Sequence, residues 1–442
     1  MKRFGVFLSF LLLGTVLAET RSVTVEVEKL TDRPVPVSMS LLELRDAVGA
    51  EFEMNWDSLR VMVGGEEVAY QIDDTDLNGR LSAGDELAFL ATGAAEIQLS
   101  DEGADAPTFE AALTVTGDDP VVVESSMMDG FTVEVPATGL PRIVGFGGTN
   151  EVLVDELGIL RFSGYPESTY WANEELGPHE EYTTLEDGGM RHVKTQTLPA
   201  GPARVTVVSE YASDRFAGLN QRVVARIYAT GDVDVSTEVV FRGYADMMKL
   251  QSMATKVVSQ ADPEALHLMP VFRKLIWADQ LGETPQDYFA ERNAVTTVDD
   301  TPYLAFRADD ALSPLYWSAP YIFASAEAWR ANYSPNLGLA VAEIAPVMPE
   351  IAQDNNDFLS GDTWVFESQE FRTGVFKWTA DEFGTYDATQ DVTPSTPNHY
   401  LPGDTVNFRH VYSVYQADSE EAAIQWAADR QTELASVSFQ NE

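Results

Sequence analysis

Cysteine is absent from all 442 residues. That one absence excludes disulfide staples, thiol nucleophiles and zinc–thiolate centres, and leaves the fold to its core and to any bound cation. Histidine is nearly as scarce, at five, and lysine is rare among the 28 basic residues. Against these stand 71 acidic residues and a net charge of −43. A surface of that sign repels phosphate backbones and anionic lipid, so nucleic acid is excluded as a partner. Abundant acid with little lysine also suits a saline habitat, where counter-ions screen self-repulsion. That reading and a functional acidity both stay open. No HExxH, GxSxG or Walker loop occurs, and Gly145-Phe146-Gly147-Gly148 lacks the Lys-Ser/Thr and helix that phosphate needs. Carboxylate pairs for glycoside hydrolysis cannot be singled out among so many acids.

Long apolar runs are missing too, with one exception. Lys2 and Arg3 precede an apolar stretch from Phe4 to Leu17, and Val16-Leu17-Ala18 offers a small residue for cleavage. Residues 1–18 therefore read as a signal peptide, too short to be a membrane span. The expectation is an exported chain, periplasmic, extracellular or at the cell surface, with no transmembrane segment after cleavage.

What is present is mostly strand. Val23, Val25 and Val27 alternate with Thr24, Glu26 and Glu28, the period of a half-buried strand. Residues 40–48 have room for one short helix, and Gly64-Gly65 lies between two β-prone runs as a hairpin turn would. Residues 19–100 read as a small β-rich module, followed by a polar stretch through Pro107. From 108 to 442 the strands continue, separated by Gly, Asp and Pro turns, as in Ala203–Tyr211, Gln221–Thr230 and Val233–Arg242 around Gly231-Asp232. The fold class expected is all-β, a large antiparallel supersandwich closed by a helix at about 419–436. Asp418 and Glu421 stand at capping-box spacing at its start.

One stretch carries metal-like spacing. Taking Asp74 as position 1 of a calcium loop, Asp76 falls at 3, Asn78 at 5, the Arg80 carbonyl at 7, a water on Ser82 at 9 and Asp85 at 12, with Gly79 turning at 6. Strand-like runs flank it where an EF-hand has helices. A structural Ca2+ site and a plain polar turn are both compatible with it, and aspartate at position 12 reaches less far than glutamate.

Three groups of phrases resemble a known family. They are "VAYQI" and "DELAFLA" around the acidic loop, "LPAGPARVTVVSEY" with "QRVVARIYATGDVDVSTEVVF", and "LPGDTVNFRHVYSVYQ" leading into "DSEEAAIQWAADR". The layout is similar to secreted bacterial carbohydrate-active proteins with a galactose-mutarotase-like supersandwich, in particular the DUF4861-type group. The resemblance implies a β-supersandwich and a polysaccharide or oligosaccharide as partner; lyases, epimerases and non-catalytic domains all occur among such proteins. Lyases of this architecture use Tyr and His, with a cation, Arg or Asn neutralising a uronate so that its C5 proton can leave.

Candidates for that chemistry cluster between Tyr165 and Tyr182: Tyr170 and His179 as acid and base, Trp171 and Tyr182 as sugar-stacking rings, with Arg191 and His192 on the next strand. The alternative is an acidic solvated loop anchored by aromatics. Asn398, His399 and Tyr400 form a second group, with Asn398 to bind substrate and His399 and Tyr400 to move protons; a packed turn is its plainer reading. His410 alternates with Tyr412 and reads as a satisfied sheet-face histidine, and His267 as a core or edge residue. Enzyme and non-catalytic glycan-binding or envelope protein remain the two leading readings. Convergence of His, Tyr and Arg in one cleft separates them.

Overall fold

A computed structural model describes residues 18–164, 181–182, 190–213, 218–255, 262, 264–270, 274–275, 295–307, 323–324, 329–344, 366–367, 378–379, 382–386 and 398–441. The stretch read as a signal peptide lies outside them apart from Ala18. The chain is built of antiparallel sheets with two described helices, α1 (Leu41–Val48) and α2 (Glu420–Ser436). The all-β expectation holds. Among the described residues no helix is long and apolar enough to cross a membrane.

The first module packs two small sheets around Val23, Leu44, Leu59, Phe89 and Ile97. Short α1 is fixed by a full capping box, with Ser40 accepting from the Glu43 amide and Glu43 accepting from the Ser40 amide. One sheet is completed from far along the chain. Strand Ser438–Asn441 pairs antiparallel with Thr20–Glu26, Val23 opposite Asn441. A separate four-stranded sheet follows, from Leu113–Thr116 to Arg142–Gly145.

The centre of the molecule is a ten-stranded antiparallel sheet. It begins as a meander of Met190–Thr197, Arg204–Ser213, Leu219–Tyr228 and Asp232–Phe241. The long strand Thr405–Gln416 then joins it to Leu339–Ile344, Trp329–Ser334 and Leu266–Pro270, with Thr301–Arg307 and Val295–Val298 at the far edge. Gly231, at φ 85°, makes the tight turn between the third and fourth strands.

Each face of this sheet buries a different neighbour. On one face Val207, Val223, Val235 and Tyr412 pack with Leu157 and Ile159 of strand Asp155–Gly164 and with the four-stranded sheet. The approach is close at Gly158: a Cβ there would stand 2.9 Å from Val223 Cγ1, and Gln221 donates to the Gly158 carbonyl at 2.7 Å. On the other face Trp329, Ala342, Val411 and Tyr415 pack under α2 through Ile424 and Ala427. Tyr415 stacks on Trp426 with centroids 3.9 Å apart. The cap of α2 differs from the one the spacing suggested. Ser419, not Asp418, is the N-cap, accepting from the Ala422 amide at 3.1 Å.

The first module docks on the α2 face through Val35, which joins the apolar cluster there, and through ion pairs. Arg204, fully buried, donates to Asp73 at 2.7 Å, to Glu86 at 2.8 Å and to the Tyr228 hydroxyl at 2.9 Å. Arg226 forks onto the same Glu86. Arg430 of α2 pairs with Asp232 and Glu433 and reaches the Pro34 carbonyl. Arg204, Arg226 and Arg430 each have an opposite charge in contact, the condition under which ionised groups tolerate burial, whereas buried Arg33 donates to the Thr230 and Val414 carbonyls and lies over the Trp426 ring.

Candidate functional site

The first strand of the large sheet holds His192, and a backbone irregularity decides where it points. From Thr197 back to Lys194 the ladder with the second strand is regular, with Thr195 opposite Ser209 and Lys194 opposite Glu210. A bulge between His192 and Lys194 then shifts the register by one, so that His192 stands opposite Tyr211. Without it, alternation would send His192 and Thr195 to opposite faces. With it, His192 Nε2 lies 3.0 Å from Thr195 Oγ1, which lies 3.0 Å from Ser209 Oγ. The imidazole meets the Tyr211 ring edge-on, centroids 5.5 Å apart.

The environment sorts the two groups. Burial pushes the His192 pKa below its usual 6.5, only slightly offset by a backbone hydrogen bond at Lys194. Burial likewise raises the Tyr211 phenol well above its usual value. Near neutral pH the imidazole is uncharged and the phenol keeps its proton, the states required of a general base and a general acid. His192 is half-buried, Tyr211 buried. Arg191 is exposed, and strand alternation turns it to the other face.

The same sheet face carries a second polar strip, on the strands around Leu339–Ile344. Arg330 Nε donates to Glu343 Oε2 at 2.7 Å, and His410 Nδ1 lies 2.9 Å from Glu343 Oε1. Their side chains are 2–3% exposed. Burial would raise the Glu343 carboxyl, but Arg330 and then His410 outweigh it and hold it below the usual range. His267 sits beside Asn332 at 3.3 Å and is pushed down to about 4 by burial. Three strands separate His410 from His192, and four and five separate Glu343 and Arg330 from it, about 20–30 Å at the usual strand spacing. It is a core ion network of charges paired with one another.

The second predicted group splits. His399 is exposed, whereas Tyr400 is buried with its ring stacked on Phe241 at 4.0 Å. The two point to opposite sides of one strand and do not form an acid–base pair. Asn398 and Tyr182 are placed on strands by their backbone, opposite Met247 and Arg161, and their side chains lie outside the described residues. Tyr170, Trp171 and His179 lie outside them altogether. Tyr211, which sequence reasoning did not single out, has the contact to His192. Counting from the Leu198–Ala203 turn misses it, because the bulge is invisible to alternation.

The acidic loop gathers three of its predicted ligands. Carboxylate oxygens of Asp74, Asp76 and Asp85 lie within 4.8 Å of one another. Asn78 is tied to the group through its side-chain amide, which donates to Asp76 at 2.7 Å, and Ser82 Oγ donates to Asp76 at 2.6 Å. The Arg80 amide donates to Asn78 Oδ1 at 2.7 Å. Gly79 takes φ 72° at the turn position. Burial raises the Asp85 pKa, and the neighbouring Asp76 and Asp74 charges add to it. Such crowding is relieved by a cation, and an all-oxygen set of this kind fits Ca2+. The loop joins two strands whose ends, Asp73 and Glu86, are the carboxylates gripped by Arg204.

No protein-family model matches the chain. No curated protein matches it either. Among solved structures, a galactose 1-epimerase from Lactobacillus acidophilus NCFM aligns with 70% of this chain and 100% of its own, at 10% identity and a TM-score of 0.38. An aldose epimerase homologue from C. elegans covers 70% and 100%, at 9% identity and a TM-score of 0.33. A TPR-domain containing protein from Parabacteroides distasonis covers 92% of this chain and 56% of its own, at 8% identity and a TM-score of 0.37. Likenesses at these scores carry neither an activity nor a site across to this chain.

Proposed function

We propose that the chain is an exported saccharide-active protein in which His192 and Tyr211 are the acid–base pair, with a β-elimination (lyase) reaction as the chemistry. The observation that carries this reading is the edge-on contact of a neutral imidazole with a protonated phenol. In such a reaction His192 takes the proton α to a uronate carboxylate, the C4–O bond breaks with its electrons, and Tyr211 returns a proton to the departing oxygen. A C4=C5 double bond remains in the product. The sequence phrases shared with secreted carbohydrate-active proteins support the substrate class and the export signal supports the compartment. The acidic loop belongs to the same reading as a structural Ca2+ site.

The test is to incubate the mature chain with a panel of uronate glycans and follow ultraviolet absorbance of the unsaturated product. Turnover that disappears in His192→Gln and Tyr211→Phe, with unchanged melting, is expected. Full turnover in both variants removes the pair from the mechanism. The second reading is glycan binding without cleavage, favoured by the burial of Tyr211 at 2% exposure. It stands if the panel binds and no product forms.

A further inference from the structure

On the sheet face opposite His192, a cleft of about 630 Å³ opens between the first module, strands Asp232–Phe241 and Thr405–Gln416, and the end of α2. That volume lies within the range of small-molecule sites, roughly 300–1,000 Å³. Two arginines line it. Arg226 donates to Glu86 at 2.7 Å and to Ser236 at 2.8 Å. Arg409 donates through Nε and Nη2 to Asp234, at 2.7 Å for the shorter bond, while its Nη1 donates to no described residue. The Arg409 side chain is 48% exposed, so this donor faces solvent on a guanidinium whose other edge is fixed.

The charge pattern selects the occupant. Glu43, Glu86 and Asp234 line the cleft against Arg226 and Arg409, so no net positive field draws an anion. The −43 charge of the whole chain adds to that repulsion. A cation would confront the exposed Arg409. What remains is an uncharged ligand rich in hydroxyls, which accept from Arg409 and the serines and donate to Glu43. Met39, Val411 and Phe439 also line the cleft and suit the apolar C–H face of a sugar ring. We infer that this cleft binds a short neutral saccharide, at a site separate from the His192–Tyr211 pair and independent of its chemistry.

Calorimetric titration of the mature chain with neutral gluco- and xylo-oligosaccharides, and with uronate oligosaccharides for comparison, tests the inference. Ala435, exposed on the last turn of α2, lines the cleft without joining its ion pairs, so Ala435→Trp fills the space and spares the fold. Neutral oligosaccharides should bind, and Ala435→Trp should weaken them roughly tenfold or more at an unchanged melting temperature. Arg409→Lys, which keeps a positive charge beside Asp234 and loses the free Nη1 donor, should weaken them as well. Wild-type affinity in both variants overturns the inference, even where His192 variants lose turnover. So does failure of every neutral oligosaccharide to bind, or a preference for uronates.

Discussion

At the scale of single residues, burial and neighbouring charges set the state of the pair proposed to act and of the groups that hold the core. His192 is neutral above a pKa below 6.5, and Tyr211 keeps its proton beyond the ordinary phenol range. Turnover should therefore climb as pH rises through that lowered value and then stay level past pH 9, in a kcat/KM profile on whichever uronate glycan is cleaved. Glu343 belongs to the other class. Glu343→Ala removes the buried carboxylate that Arg330 and His410 both contact and should cost about 3–5 kcal/mol in urea unfolding. His267 makes stability sensitive to acid. Its pKa is depressed from 6.5 to about 4, so the unfolded chain binds the proton first. Stability is full above pH 6.5 and falls by up to about 3 kcal/mol as pH drops toward 4. A melting curve against pH should flatten over that window in His267→Gln. None of these partnerships was legible in the sequence. Glu343 shares a side with Leu339 and Val341 in Leu-Ala-Val-Ala-Glu-Ile, while Arg330 shares one with Asn332 and Ser334 in Trp-Arg-Ala-Asn-Tyr-Ser, the pattern of a solvent-facing side. Only the pairing of distant strands turns that polar side inward.

At the scale of elements, local pattern was a better guide. The Gly231 hairpin and the positions of α1 and α2 follow from short-range rules that need no distant partner, although the cap read at Asp418 falls one residue later, on Ser419. The acidic loop is of the same kind: its spacing alone brings Asp74, Asp76 and Asp85 together. Calcium at about 100 times its Kd should stabilise the fold by about 2.7 kcal/mol. Differential scanning calorimetry should show the melting temperature fall on chelation in low salt and return with Ca2+ but not Mg2+. Asp76→Asn should abolish the response. An unmoved melting temperature would make the loop a plain turn. The bulge at His192 lies beyond such rules, since one extra residue in a strand leaves no mark on composition.

At the scale of the whole molecule, the two modules meet through arginines that the sequence offers no means of pairing. Arg204→Ala would leave Asp73 and Glu86 buried with half their partners gone. Thermal unfolding should then lose its single transition, with protease-sensitive sites appearing in the first module before the large sheet opens. Acid should not have the same effect at ordinary carboxylate pH. Burial of Glu86 is outweighed by Arg226 and Arg204, which hold its pKa far below the usual range. The stability it contributes is present above the unfolded value and is lost only as pH falls toward that depressed one. The strand Ser438–Asn441 adds a constraint of a different sort. Because Val23 waits for Asn441, the first sheet cannot be finished while the chain is still being synthesised. The first module emerges from the ribosome early and sets late. A tag or truncation beyond Val437 would therefore be felt at the opposite end of the sequence.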